Sequence, residues 1–163
     1  MHDNKIAIID DDPFVVAHLS ETLTSRLADV HVVGIAEPVA PAGFDVYVVD
    51  NEFEGDSRGQ DIIRRIRKFS PQSLILAYSA YLDRKFLRAL LRQGCEGAFD
   101  KGSLEELEAM INIIELHLDM KNADPDKIRG LGNTVRAISG LVHEWNVRLA
   151  SNGRADVKTI RDA

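Results

Sequence analysis

Apolar residues fall into short unbroken runs that alternate with stretches of helical spacing. Ile6-Ala7-Ile8-Ile9 follows Lys5 and stops abruptly at Asp10-Asp11-Asp12-Pro13. Continuous apolar strands are what a parallel sheet covered on both faces requires. Pro13 suits the first turn of a helix, and Phe14, Val15, Leu19, Leu23 and Leu27 carry the spacing of one. Val30 to Gly34 predicts a second strand, and Phe44 to Val49 a third that ends at Asp50. A helix follows from Gln60 to Phe69, with Ile62, Ile63 and Ile66 inward and Pro71 beyond its end. Leu74 to Tyr78 is a fourth strand running into Ser79-Ala80, and Asp83 to Gln93 a helix with Gly94 as its C-cap. Gly97 to Asp100 is a fifth strand, ending at Lys101. Ser103 and Glu106 form a capping box for a helix reaching about Lys121, with its sheet-facing stripe at Leu104, Leu107, Ile111, Ile114 and Leu118. Met110, Ile113 and Met120 stand outside that stripe.

Five alternations of strand and helix give βαβ units and a parallel α/β sheet, doubly wound, because right-handed crossovers allow little else. Residues 1–121 form this domain and 122–163 a helical C-terminal extension. The 163-residue length suits one domain plus an addition. No apolar run approaches the ~20 residues that span a bilayer, and the first residues lack the order of a signal peptide. The single cysteine, Cys95, excludes an internal disulfide framework and fits the reducing cytoplasm, as a packed side chain rather than a reactive thiol. The last 43 residues hold eight Lys/Arg against five Asp/Glu, so a net charge of −6 leaves −9 on the first 120. An acidic body argues against nucleic-acid binding, which needs a basic surface.

Four strand ends carry chemically useful residues: Asp10 and Asp11, Asp50, Ser79, and Lys101. In an open parallel sheet these ends share one edge, where ligands bind. An Asp after a strand is commonly a mere turn or cap residue; the set in order is what suggests a pocket. Three carboxylates there repel one another, by about 4 kcal/mol per pair at ~4 Å and an effective dielectric of ~20. One lysine cannot neutralise them. Such a site either raises a carboxylate pKa or takes a hard cation, and all-oxygen donors describe Mg²⁺. A carboxylate nucleophile, Mg²⁺, a hydroxyl and an ammonium together match phosphoryl transfer to Asp50.

With Ile8-Ile9-Asp10-Asp11-Asp12-Pro13, Val48-Val49-Asp50, Tyr78-Ser79-Ala80 and Asp100-Lys101 in this order, residues 4–121 resemble the receiver domain of two-component response regulators. The resemblance implies a flavodoxin-like sheet of order 2-1-3-4-5 and Asp50 as phosphoacceptor. It implies Mg²⁺ held by Asp11 directly, by Asp10 largely through water, by Asp50, and by the Glu52 backbone carbonyl. Ser79, with Ala80 beside it, would be the switch hydroxyl and Lys101 the phosphate-binding cation. The donor would be a histidine kinase or a histidine phosphotransferase, and the chain a phosphoprotein rather than a turnover enzyme. Three positions depart from the family: Gly102 stands where proline is usual, Ala98 where the switch aromatic falls, and the loop Asn51 to Asp56 lacks the common proline and is one residue longer.

Beyond the helix break at Asn122-Ala123-Asp124-Pro125, the residues Ile128, Leu131, Val135, Ile138, Val142, Trp145 and Leu149 recur at 3-4 spacing, a seam of about three heptads. Gly130, Gly132 and Gly140 weaken it, each by about 1 kcal/mol relative to Ala. It is read as a helix that covers the domain or pairs with a second copy into a homodimer. Leu141 to Asn146, around His143, resembles the phosphoacceptor box of histidine-kinase dimerisation helices, but no second bundle helix or ATP-binding domain follows, and a solvated histidine is the plainer reading. A tail this short favours protein contacts over DNA binding as output. The alternatives are a phosphorylation-independent scaffold of receiver fold, and an enzyme with a carboxylate nucleophile. The enzyme lacks support from any glycine-rich phosphate loop or substrate cap.

Overall fold

The computed structural model describes residues 3–80, 82 and 84–123. The chain divides into two units, Met1–Lys121 and Asn122–Ala163. The tail seam from Ile128 to Leu149, the homodimer it suggested and His143 lie outside the described residues.

The elements run β1 (Asn4–Ile9), α1 (Pro13–Arg26), β2 (Val30–Ile35), β3 (Val46–Val49), β4 (Glu52–Phe53), β5 (Asp56–Ser57), α2 (Gly59–Phe69), β6 (Leu74–Ser79), α3 (Arg84–Arg92), β7 (Gly97–Asp100) and α4 (Leu104–Asn122). The main sheet has the order β2-β1-β3-β6-β7, all parallel. With the β4–β5 hairpin set aside, this is the expected 2-1-3-4-5. Because β1 and β3 pair in the middle while the chain winds outward from them, the sheet carries helices on both faces. Side chains alternate accordingly. Ile6, Ile8, Val46, Val48, Leu76, Tyr78 and Phe99 pack with α1 and α4 through Leu19, Leu23, Leu107, Met110, Ile111, Ile114 and Leu118. Ile63, Ile66 and Leu90, on α2 and α3, are also fully buried.

Asp12 caps α1, its Oδ1 accepting the Phe14 N–H at 2.9 Å, with Pro13 in the first turn. Gly94 adopts φ +93° after α3, the left-handed conformation expected of a C-cap. Two expectations for α4 are corrected. Leu104 is 78% exposed, and Met110 fills the stripe instead: Leu104 opens the first turn, beyond the edge of the sheet, whereas Met110 is one turn below Glu106 on the inner side. The capping box is one-sided. The Ser103 Oγ accepts the Glu106 N–H at 3.2 Å, but the Glu106 carboxylate turns to the Asp100 N–H at 2.6 Å. It thereby fixes the end of β7 rather than the start of α4.

Cys95 is buried, and burial pushes its thiol up to about 12, as an inert packed side chain should behave. No helix of the described residues is long and apolar enough to cross a membrane.

Candidate functional site

Backbone ladders carry the acids to one edge. The Asp10 N–H donates to the Ile35 carbonyl at 3.0 Å, and the Asp50 N–H to the Ile9 carbonyl at 2.9 Å, so both residues prolong the sheet's own hydrogen bonding. On the other side of β6 the Lys101 N–H donates to the Ser79 carbonyl at 3.1 Å. Sequence-distant residues are therefore fixed by the same interactions that hold the strands.

The side chains meet. The Lys101 ammonium lies 2.7 Å from Asp10 Oδ2 and 3.0 Å from Asp50 Oδ2. Carboxylate oxygens of Asp10, Asp11 and Asp50 all lie within 4.8 Å of one another. Asp10 and Asp50 are buried, and Asp11 is half-buried at the mouth. The second oxygen of Asp10 accepts the Asp12 N–H at 3.0 Å, and that of Asp50 the Asn51 N–H at 2.7 Å. Ser79 is buried beside β7, paired in register with Asp100, and Ala80 is exposed just beyond it.

Burial raises the Asp10 carboxyl above the usual range, despite the hydrogen bond from Lys101. Burial alone would lower the Lys101 ammonium, yet the hydrogen bond to Asp10 and the charges of Asp50 and Asp10 hold it above its ordinary value. In a balanced pair the acid would shift down. Both partners shift up here because desolvation of the Asp10 carboxyl outweighs what Lys101 returns to it, and the Asp50 charge adds to the same direction. Oxygen donors clustered this closely around an excess of negative charge fit Mg²⁺, and no His or Cys joins the cluster among the described residues.

The loop after Asp50 holds features the sequence left unread. It is a two-residue hairpin, with Glu52 opposite Ser57, Phe53 opposite Asp56, and Glu54 (φ +50°) and Gly55 (φ +84°) at the tip. Two positive φ values mark the type I′ turn; the Glu-Gly pair hid it, because Asn-Gly or Asp-Gly is its usual signature. The Glu54 N–H donates to Asp11 Oδ2 at 2.8 Å. The Asn51 carbonyl accepts from Arg58 at 2.9 Å, so hydrogen-bonded and open pairs alternate along the hairpin, and the Glu52 carbonyl points away from Ser57. Gly59 opens α2 against the phosphoacceptor candidate's own backbone: a Cβ there would meet the Asp50 carbonyl at 2.5 Å. At Gly102 the N–H donates to Asp100 Oδ1 at 2.7 Å, a bond proline could not make. Ala98 is buried, and Phe99 belongs to the opposite face with α1 and α4, so Phe99 does not stand in for the missing aromatic.

No protein-family model matches the chain, and no curated protein matches its sequence. Solved structures do. The chain is similar to the BeF₃-activated receiver domain of DrrB, at 20% identity and TM-score 0.62 over 72% of this chain and 99% of that one; DrrB is a Thermotoga maritima OmpR/PhoB homologue. A two-component response regulator from Clostridium difficile aligns at 16% identity and TM-score 0.63, over 74% and 99% of the two chains. The chemotaxis response regulator CheY4 of Vibrio cholerae aligns at 19% identity and TM-score 0.58, over 69% and 99%. With its acids gathered at the C-terminal edge of a parallel sheet of order β2-β1-β3-β6-β7, the chain has the fold of a response-regulator receiver domain.

Proposed function

We propose that this chain is a phosphoacceptor switch of two-component signalling, taking its phosphoryl group on Asp50 from a histidine kinase or a histidine phosphotransferase in the cytoplasm. The observation that carries the reading is the Lys101 ammonium 3.0 Å from the Asp50 carboxylate inside a pocket that holds two further acids.

One Asp50 oxygen attacks the phosphorus of the donor. A P–O bond to Asp50 forms as the P–N bond to the donor imidazole breaks, and the imidazole leaves with the bonding pair and takes a proton. Lys101 turns from the carboxylates to the phosphoryl oxygens, and the Ser79 hydroxyl donates to another. Asp10, Asp11, Asp50 and the Glu52 carbonyl would hold Mg²⁺, which when bound screens the phosphoryl oxygens from the carboxylates. The chain is consumed stoichiometrically, as a switch and not as a turnover enzyme. Phe14, 83% exposed at the start of α1, and Leu104, 78% exposed at the start of α4, flank the strand ends that carry the site and offer an apolar rim for the donor to rest on. Output runs through protein contacts.

A second reading keeps the fold and drops the chemistry: a phosphorylation-independent interaction scaffold. It is favoured by Ala98, which leaves no aromatic to swing with Ser79. Intact-mass spectrometry after incubation with Mg²⁺ and acetyl phosphate separates the two. The switch predicts one added phosphoryl group in the wild type, abolished by EDTA and by Asp50→Asn. A scaffold stays at its unmodified mass under every donor.

A further inference from the structure

We propose that the β4–β5 hairpin is a strap that positions Asp11 and sets the affinity of the site for its divalent cation, a device resting on the phosphoacceptor reading above. Asp11 is the outermost of the three acids, half-buried where Asp10 and Asp50 are buried. Among the described residues no cation pairs with it, Lys101 being engaged with Asp10 and Asp50. What holds it is the Glu54 amide at the hairpin tip, 43 residues away in sequence, donating at 2.8 Å to one oxygen. A carboxylate has about four lone-pair sites, so this bond leaves the Asp11 side chain able to ligate.

The hairpin has what such a strap needs. Its root is fixed: the Asn51 carbonyl accepts from both Arg58 and Gly59, at 2.9 and 3.0 Å, and Phe53 is 3% exposed. Its tip is the Glu54-Gly55 turn with both φ values positive. The same hairpin carries the Glu52 carbonyl, which strand pairing leaves unused. The fixed root therefore presents one ligand from its own backbone, and the closed tip orients a second, Asp11, on the loop after β1. Opening the tip releases Asp11.

Apparent affinity then equals intrinsic affinity multiplied by the closed fraction. A residue that resists the left-handed turn lowers that fraction, because its strain is relieved only by opening. A residue that favours the turn raises it. The chemistry of the three acids stays the same in either case, so the turn becomes the control on metal affinity.

The test is calorimetric titration of Mg²⁺ into the full chain, alongside thermal unfolding in EDTA. Gly55→Val is expected to weaken Mg²⁺ binding by roughly five- to tenfold with little change in the metal-free melting temperature. Gly55→Asn, which tolerates positive φ, is expected to return affinity to within about twofold of wild type. Glu54→Asn, which supplies the favoured Asn-Gly turn, should bind equally or more tightly. Equal affinities for wild type and Gly55→Val would overturn the strap. So would a Gly55→Asn protein as weak as Gly55→Val, since the loss would then not follow turn conformation. Failure of the wild type to bind Mg²⁺ at all would instead overturn the metal site itself.

Discussion

The two edges of the sheet use charge in opposite ways. At the N-terminal edge the ionic groups are closed on one another. Arg67 of α2 donates to the Pro71, Ser73 and Gly94 carbonyls and pairs with Glu96. The other Glu96 oxygen accepts the Ile75 N–H at 2.8 Å. Nearby, Asp45 pairs with Lys121 at 2.7 Å and accepts the Lys5 N–H at 3.0 Å. At the C-terminal edge three acids cluster where one ammonium pairs with two of them, Asp10 and Asp50. A protein selected only for stability would not crowd three carboxylates around one ammonium. Under the proposed function, that surplus is the place for a cation and a phosphoryl group.

Arg67→Met should be the most damaging change. It strands three carbonyls and leaves the half-exposed Glu96 carboxylate without its cation, and we expect a loss of about 3 kcal/mol in urea unfolding. A loss below about 1 kcal/mol would mean that the closed network contributes little. Next in size is Lys101→Met, which removes the ammonium paired with both acids and leaves Asp10 and Asp50 facing each other. The expected loss is about 2 kcal/mol in EDTA, substantially recovered in millimolar Mg²⁺. If Mg²⁺ restores nothing, the acids are not a metal site.

Asp50→Asn should act in the opposite direction. Removing one of three like charges while Lys101 keeps Asp10 is expected to stabilise the metal-free protein by about 1 kcal/mol. A destabilised variant would contradict the contrast between the edges.

The smallest expected effect is on pH dependence. Burial holds the His117 imidazole below its ordinary 6.5, with the Asp45 and Lys121 charges facing it. The unfolded chain therefore takes up the proton first as pH falls, so stability drops as pH is lowered through the window just below 6.5. His117→Gln should flatten that slope in melting temperatures recorded across it. Asp45 is held below its ordinary value: burial opposes this, but the Lys121 and Lys5 hydrogen bonds prevail. Its contribution is present above 3.8 and is lost only as pH falls further.

Much of this was legible in the sequence because parallel strands convert order along the chain into position in space. Once Ile6–Ile9, Val46–Val49, Leu74–Tyr78 and Gly97–Asp100 are read as strands, Asp10, Asp50, Ser79 and Lys101 must share an edge. What stayed hidden lay in irregular backbone. The Glu54-Gly55 turn lacks the usual residues, so neither the hairpin nor its bond to Asp11 could be read in advance. Leu104 and Met110 exchanged roles because helical spacing gives the direction of a side chain but not where the sheet ends beneath it. The Arg67 network joins groups 27 and 29 residues apart through backbone carbonyls, which no pattern of side chains announces.

Borohydride trapping after phosphorylation tests the central claim most directly. An acyl phosphate on aspartate is reduced to homoserine, which peptide mass spectrometry then locates along the chain. The account predicts homoserine at position 50, dependent on Mg²⁺ and on the phosphodonor. A phosphorylated protein with Asp50 left intact, or with the label on Asp10, Asp11 or His143, would contradict it.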